Sequence, residues 1–116
     1  INSSGADALI MVHQNKFTDS KYNGAQMFYN DETEGAETFA DILQNKFVEY
    51  LQPDNKREIK EEEDKIYLLM NSKMPGVLCE CGFLSNPAEE AKLRDNQYQN
   101  KICSVIATTL SQYLNT

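Results

Sequence analysis

The amino-acid sequence predicts an α/β fold in which a mostly parallel or mixed sheet is flanked by helices. Short apolar runs of the kind that form buried strands alternate with longer segments whose apolar residues recur at helical spacing. Strands and helices that alternate in this way are typical of a layered α/β architecture. The 116 residues suffice for one small domain, and an apolar content of 41% suffices for a modest core.

Charge and composition argue against several classes of function. The chain carries 11 Lys and Arg against 18 Asp and Glu, a formal net charge of −7, whereas a nucleic-acid-binding surface needs clustered positive charge. No apolar run approaches the ~20 residues that cross a bilayer as a helix, so we expect no transmembrane segment. The chain begins at Ile1 rather than Met and shows no signal peptide, so we expect a processing boundary there.

The first half of the chain predicts two strands and one long helix. Residues 6–13 are an apolar run that we expect to form a strand buried on both faces, as in parallel sheets. Residues 24–29 predict a second, short strand. Residues 33–52 place apolar side chains along one helical stripe, and Asp31 with Glu34 predicts a capping box at the start of that helix.

The second half predicts a charged loop, a strand and two helices. We expect residues 54–65 to be a solvated loop, and residues 66–70 to be either one helical turn or a short strand. Residues 77–84 predict an apolar strand, and the next helix begins with Asn86 as its cap and Glu89 as a capping-box acid. The last helix presents one apolar face, formed by Ile102, Val105, Ile106, Thr109, Leu110 and Tyr113.

Two residues interrupt the apolar strands and are the candidates for chemistry. Glu80 lies inside the strand predicted over residues 77–84, where an unpaired carboxylate is costly and responds with a raised pKa or a cationic partner. His13, the only histidine, ends the other apolar strand. Because open α/β sheets place their sites at the carboxyl ends of parallel strands, adjacent strands would bring the two side chains together. The histidine could then hold a metal while the glutamate acts as a general base toward water.

Structural interpretations of these residues stay open beside the functional one. Glu80 could reach solvent or pair with Lys or Arg, and His13 could be a satisfied structural or surface group. Cys79 and Cys81 would point to one face of their strand, away from Glu80 and too far apart for an unstrained disulfide. A metal site or a nucleophile–base pair formed by these cysteines with His13 is a weaker alternative, since the spacing lacks a Cys-x-x-Cys turn. Cys103 is most simply core filler.

Four segments of the chain resemble characteristic segments of the zinc-dependent N-acetylmuramoyl-L-alanine amidases. Residues 6–15 (ADALIMVHQN) resemble the segment ADLFISIHAN of that family, and residues 24–29 (GAQMFY) resemble its strand GAQTFY. Residues 74–87 (MPGVLCECGFLSNP) resemble IPAVLVEVGFLSNP, and residues 98–102 (YQNKI) resemble YQEKIA. The stretch over residues 66–75 is most similar to the sporulation and germination branch of the family, the CwlD type.

This resemblance implies hydrolysis of the amide that joins the lactyl group of N-acetylmuramic acid to L-Ala of the peptidoglycan stem peptide. His13 matches a zinc ligand of the family, and Glu80 matches its catalytic glutamate, which activates the attacking water and can pass the proton to the leaving amine. Asn15 matches a substrate-binding residue of the pocket. The branch implies action outside the cytoplasm, in the cell wall or the spore envelope, where peptide removal prepares muramic acid for the spore cortex.

The resemblance also implies parts that this sequence does not show. Amidases of this family have a phosphorylase/hydrolase-like α/β fold and take two further zinc ligands, a His in a Gly-His-Gly-type turn and a Glu, from an upstream segment. We therefore expect residues 1–116 to be the C-terminal portion of a single catalytic domain that lacks its first strands. Because catalytic zinc needs about three protein ligands, we expect neither a stable zinc site nor activity without that segment.

Two other hypotheses belong to different functional classes. A non-catalytic peptidoglycan-binding or regulatory remnant of the same fold would keep the groove without the metal, although such a remnant has no reason to retain Glu80 in an apolar strand. Self-association through an open sheet edge could follow if strands are missing.

Overall fold

The computed structural model describes residues 2–16, 18–62 and 66–115, and these form strands and helices in an α/β order. The strands are β1 (Leu9–Asn15), β2 (Gln26–Tyr29), β3 (Lys60–Glu61) and β4 (Gly76–Phe83). The helices are α1 (Ala36–Tyr50), α2 (Tyr67–Asn71), α3 (Pro87–Arg94) and α4 (Asn96–Leu114).

The strands form one mixed sheet in the order β1-β4-β2-β3. Strand β4 is parallel to β1 and antiparallel to β2, which in turn is parallel to β3. A mixed sheet flanked by helices is the predicted fold class. The expectation that residues 54–65 form only a loop is wrong at Lys60 and Glu61, because their backbone pairs with the outer edge of β2 while their side chains stay exposed. Residues 63–65 of that segment lie outside the described residues.

Strand β1 lies at an edge of the sheet, and the expectation that it is buried on both faces is wrong because none of its residues is fully buried and its residues 12–14 are exposed. Within the described part of the chain it pairs only with β4, and the side chain of Val12 is 55% exposed. An apolar run shows that a strand has a buried face, but it does not show how many strands flank it. Self-association through this edge stays a prediction.

The core lies between the sheet and helices α1 and α4. Phe39 and Phe47 of α1 are fully buried, as are Met27 and Cys79 on the facing strands. The ring of Tyr113 in α4 stacks on Phe39, with 4.6 Å between the centroids. Helix α1 therefore packs on the face of β2 and β4 that carries Met27 and Cys79, and Glu80 lies on the opposite face of β4.

Helix α1 begins at a glycine, and the capping box predicted at Asp31 and Glu34 is wrong. Gly35 is the N-cap with φ of 85°, and no side chain bonds to the first N–H groups of the helix. A Cβ at Gly35 would lie 2.7 Å from the hydroxyl of Tyr113. Because residues with a side chain rarely adopt this backbone conformation, both the turn and the close approach of α4 require glycine.

Helix α3 begins as the sequence predicts. Asn86 caps it, since its Oδ1 accepts hydrogen bonds from the backbone N–H groups of Ala88 and Glu89, both at 3.1 Å. The capping-box role of Glu89 is wrong: its Oε1 accepts from the N–H groups of Gly24 at 2.8 Å and Phe83 at 2.9 Å. Glu89 therefore joins α3 to the loop before β2 and to the end of β4.

Helices α2 and α4 test two further expectations from the sequence. Residues 67–71 form helix α2, so the helical alternative for this stretch holds and the strand alternative does not. Helix α4 buries Ile102 and Thr109 on its predicted face, but the neighbouring Cys103 is exposed, so its assignment to the core is wrong. One residue turns a helix by about 100°, which carries Cys103 off the apolar stripe. None of the described helices combines the length and apolar character needed to cross a membrane.

Candidate active site

The candidate residues His13 and Glu80 lie side by side on the adjacent parallel strands β1 and β4. Their Cα atoms are paired in the sheet register, so their side chains extend from the same face. His13 Nδ1 and Glu80 Oε1 are 3.9 Å apart. The adjacency of these two strands confirms the sequence-based expectation, and a shared cleft at their carboxyl ends stays a prediction.

The Glu80 carboxyl is poorly solvated and incompletely satisfied. Its side chain is 15% exposed, and its buried Oε2 has no hydrogen-bond partner among the residues that the structure describes. Burial raises the pKa of the Glu80 carboxyl, the nearby His13 opposes this rise, and the charge of Glu62 adds to it. A carboxylate in such surroundings binds a proton more readily than one in water, as a general base requires.

His13 is the accessible member of the pair. Its side chain is 46% exposed, so the imidazole can meet a ligand from solvent while Glu80 stays beneath it. Glu80 shows neither of the ordinary roles left open for it, since its side chain is only 15% exposed and forms no ion pair with Lys or Arg within the described chain. The exposure of His13 fits a surface group as well as a ligand, so its role stays a prediction. A neutral imidazole nitrogen is a common ligand of zinc.

A bulge in β4 extends this face of the sheet. Between the pairs His13–Glu80 and Asn15–Phe83, three steps along β4 oppose two steps along β1. Asn15, the third predicted site residue, therefore lies two residues beyond His13 on the same face, and Phe83 lies next to it. The Oδ1 of Asn15 accepts the backbone N–H of Lys16 at 2.8 Å.

Three residues that the sequence did not single out complete the face. Gln26 of β2 is paired in register with Glu80 on the side opposite to His13. The guanidinium of Arg57 donates to Gln26 Oε1 at 3.3 Å and lies over Phe83, 4.8 Å from the ring centroid. A polar Gln26 inside an otherwise apolar strand segment is the one sequence signal that could have indicated this extension.

The cysteines adjoin the core on the opposite face of β4, which removes the alternatives that pair them with His13. Cys79 and Cys81 are both buried and are not joined by a disulfide, with their sulfurs 3.8 Å apart. A hydrogen bond with Cys81, together with burial, raises the pKa of the Cys79 thiol well above its ordinary value. The described residues contain no group of three His, Cys, Asp or Glu side chains placed to hold a metal ion.

Comparison with known proteins identifies the family. The family model of N-acetylmuramoyl-L-alanine amidases matches residues 1–112, which is nearly the whole chain. The chain belongs to the N-acetylmuramoyl-L-alanine amidase family. It is 36% identical over 120 aligned positions to the germination-specific N-acetylmuramoyl-L-alanine amidase of Bacillus subtilis, an alignment that covers 97% of this chain and 47% of that protein.

Solved structures of amidases have the same fold as this family member. The CwlD amidase from Clostridioides difficile, solved in complex with the GerS lipoprotein, matches with a TM-score of 0.92 and 38% identity over 98% of this chain and 57% of that chain. An N-acetylmuramoyl-L-alanine amidase from Clostridium difficile 630 matches with a TM-score of 0.90 and 31% identity, covering 99% and 61% of the two chains.

These similarities confirm the fold class, the amidase resemblance and its germination branch. The chain spans about half the length of the germination-specific relative and somewhat more of the two solved chains.

Proposed function

We propose that this chain carries the general base and one zinc ligand of an N-acetylmuramoyl-L-alanine amidase. The observation that carries the proposal is the pairing of an exposed imidazole with a partly buried carboxylate on adjacent parallel strands, 3.9 Å apart, whose Oε2 has no hydrogen-bond partner among the described residues. Family membership adds the substrate class, an amide between N-acetylmuramic acid and L-Ala. The reaction is hydrolysis of that amide in peptidoglycan.

In this proposal Glu80 moves the proton. Its carboxylate accepts a proton from the water that attacks the amide carbonyl carbon, and it returns that proton to the nitrogen of L-Ala as the carbon–nitrogen bond breaks. The products are a muramic acid carboxyl group and a peptide with a free amino terminus. Burial of Glu80 favours proton uptake, which suits it to this exchange.

Zinc fits the donor chemistry of the pair. The imidazole of His13 is a typical zinc ligand, and the unsatisfied Oε2 of Glu80 leaves a hydrogen-bond acceptor beside it within the described residues. When bound, zinc supplies a Lewis acid that lowers the pKa of water and polarises a carbonyl oxygen. The two further ligands would come from outside residues 1–116, and Asn15 would line the substrate pocket beyond His13.

Similarity to a germination-specific amidase supports the proposal that this chain acts on the cell wall or spore cortex. The proposed substrate is the stem peptide and muramic acid of the cell wall or spore cortex, and the proposed location is extracytoplasmic. The non-catalytic remnant is the opposing hypothesis, and the partly buried carboxylate beside His13 argues against it because binding alone does not require that costly group.

Zinc content of the full-length protein tests the proposal. We expect near-stoichiometric zinc in the wild type and a large loss in His13→Ala, because one of about three protein ligands is removed. Gln14→Ala is the matched control, since Gln14 is exposed on the same strand. Equal zinc in His13→Ala and Gln14→Ala would contradict the role of His13, and a zinc-free wild type that binds peptidoglycan without hydrolysing it would favour the remnant.

A further inference from the structure

Arg57 provides a fixed positive charge beside the candidate active site. Its Nε donates to the carbonyl oxygen of Asn23 at 2.7 Å, and its Nη1 donates to Gln26 Oε1 at 3.3 Å. Gln26 is itself held, since its Nε2 donates to the carbonyl oxygen of Glu58 at 2.8 Å. The guanidinium also stacks over Phe83, 4.8 Å from the ring centroid. These contacts fix both the position and the plane of the guanidinium.

This guanidinium has N–H donors that its contacts to Asn23 and Gln26 do not use. A guanidinium carries five N–H donors, of which the contacts to Asn23 and Gln26 use two. No carboxylate within the described ranges forms an ion pair with it. Arg57 is partly buried, so an anion that meets it is screened less than on an open surface. The planar fork of Arg matches a carboxylate through two parallel hydrogen bonds.

The distance from the reacting centre sets which carboxylate it can meet. Gln26 is in register with Glu80 on the neighbouring strand, and neighbouring strands lie about 4.8 Å apart. The guanidinium, one side chain beyond Gln26, therefore lies roughly 5–10 Å from the Glu80 carboxyl. An extended peptide advances about 3.3–3.6 Å per residue, so this distance corresponds to roughly one and a half to three residues from the amide nitrogen, a span that includes the residue after L-alanine.

We infer that Arg57 binds the free α-carboxylate of the residue that follows L-alanine in the stem peptide. Arg57 thereby selects peptides with that carboxylate over peptides in which it is a carboxamide. The inference rests on the proposed function, since it takes the amide attacked beside Glu80 as the reference point. Arg57 is a specificity-determining residue, because it meets the departing peptide and takes no part in moving the proton.

Two muramoyl-L-alanyl peptides that differ only in this group, carboxylate or carboxamide, test the inference on the full-length protein. We expect wild-type kcat/KM to favour the carboxylate by about tenfold or more, as charge-assisted hydrogen bonds to a partly buried Arg imply. Arg57→Gln should bring the ratio close to one, mainly through KM of the carboxylate substrate. Arg57→Lys should retain part of the preference, because it keeps the charge and loses the fork.

The matched control is Lys56→Gln, which removes the same charge from the exposed neighbouring position. It should leave the substrate ratio unchanged. If Arg57 had only a structural role, Arg57→Gln would lower kcat/KM equally for both substrates and would leave their ratio at the wild-type value. That result would overturn the inference. The ratio compares two substrates on one protein, so a partly unfolded variant does not alter it, and circular dichroism identifies a variant that does not fold.

Binding measurements separate this inference from the proposed function. In a Glu80→Gln background, calorimetry should show a lower Kd for the carboxylate peptide than for the carboxamide, and the added Arg57→Gln change should remove the difference. A wild type that hydrolyses both substrates equally overturns the inference and leaves the proposed function standing. A wild type that hydrolyses neither overturns both.

Discussion

Glu89 is a buried carboxylate whose removal should destabilise the protein far more than its position on a helix suggests. Glu89 is 8% exposed, and its Oε1 accepts hydrogen bonds from the backbone N–H groups of Gly24 at 2.8 Å and Phe83 at 2.9 Å. Glu89→Ala leaves both donors without this partner in a region where Gly24 and Phe83 are buried. At about 1–3 kcal/mol for each unsatisfied buried donor, the free energy of unfolding should fall by about 2–6 kcal/mol.

Glu90 offers a matched control on the same helix. Its side chain is 38% exposed and pairs with Arg94 at 3.2 Å, a surface ion pair of the kind that contributes about 0–1 kcal/mol. Both glutamates lie in the first turn of α3, so their interaction with the helix dipole is similar. Glu89→Gln should lose less than Glu89→Ala, because the amide oxygen can still accept hydrogen bonds.

Urea unfolding of the full-length protein, followed by far-ultraviolet circular dichroism, measures these differences. A loss in Glu89→Ala no larger than that in Glu90→Ala would refute the argument that Glu89 joins α3 to the loop before β2 and to the end of β4. The result also bears on the candidate site, since one of the two donors belongs to Phe83, over which Arg57 lies.

Three further predictions concern the backbone, the thiols and one tyrosine. Gly35→Ala should cost about 1–2 kcal/mol or more from the positive φ, with added overlap against a tyrosine hydroxyl, and a melting temperature equal to that of wild type would contradict this. Iodoacetamide should label Cys103 before the buried Cys79 and Cys81 in peptide mass mapping, and the reverse order would be inconsistent with the packing. Burial raises the pKa of the Tyr98 hydroxyl, although a hydrogen bond lowers it in part, so its contribution to stability is complete below about pH 10 and is lost as pH rises through the folded pKa. The phenolate absorbance that Tyr98→Phe removes should therefore titrate above free tyrosine, and a midpoint at or below that of free tyrosine would contradict the sign.

The pairing of His13 with Glu80 could be predicted because both residues depart from the pattern around them. Each interrupts or ends an apolar strand, and parallel strands bring such ends to one edge of the sheet. The family resemblance of the same segments gave the same two residues. Here local pattern and tertiary arrangement agree, which is why sequence reasoning could place the two residues of the candidate site side by side.

Other parts of the site depend on contacts that no local pattern records. Arg57 belongs to a charge-rich segment where a solvated loop is the ordinary outcome, and only the chain's return beside β2 brings it to Gln26. The bulge that turns Phe83 toward the site is one extra residue in an apolar run, where alternation gives no sign of it. Glu89 has the spacing of a capping-box acid, yet its Oε1 accepts hydrogen bonds from two backbone N–H groups outside the helix.

Replacement of Glu80 by Gln in the full-length protein tests the central claim most directly. Gln keeps the shape of the side chain and loses the ability to accept the proton, so hydrolysis of purified peptidoglycan should fall by about 10²–10⁴-fold. Zinc content and peptidoglycan binding should remain at wild-type levels, and Glu90→Gln should retain full activity. Hydrolysis by Glu80→Gln at the wild-type rate, with zinc bound, would contradict the assignment of Glu80 as the general base.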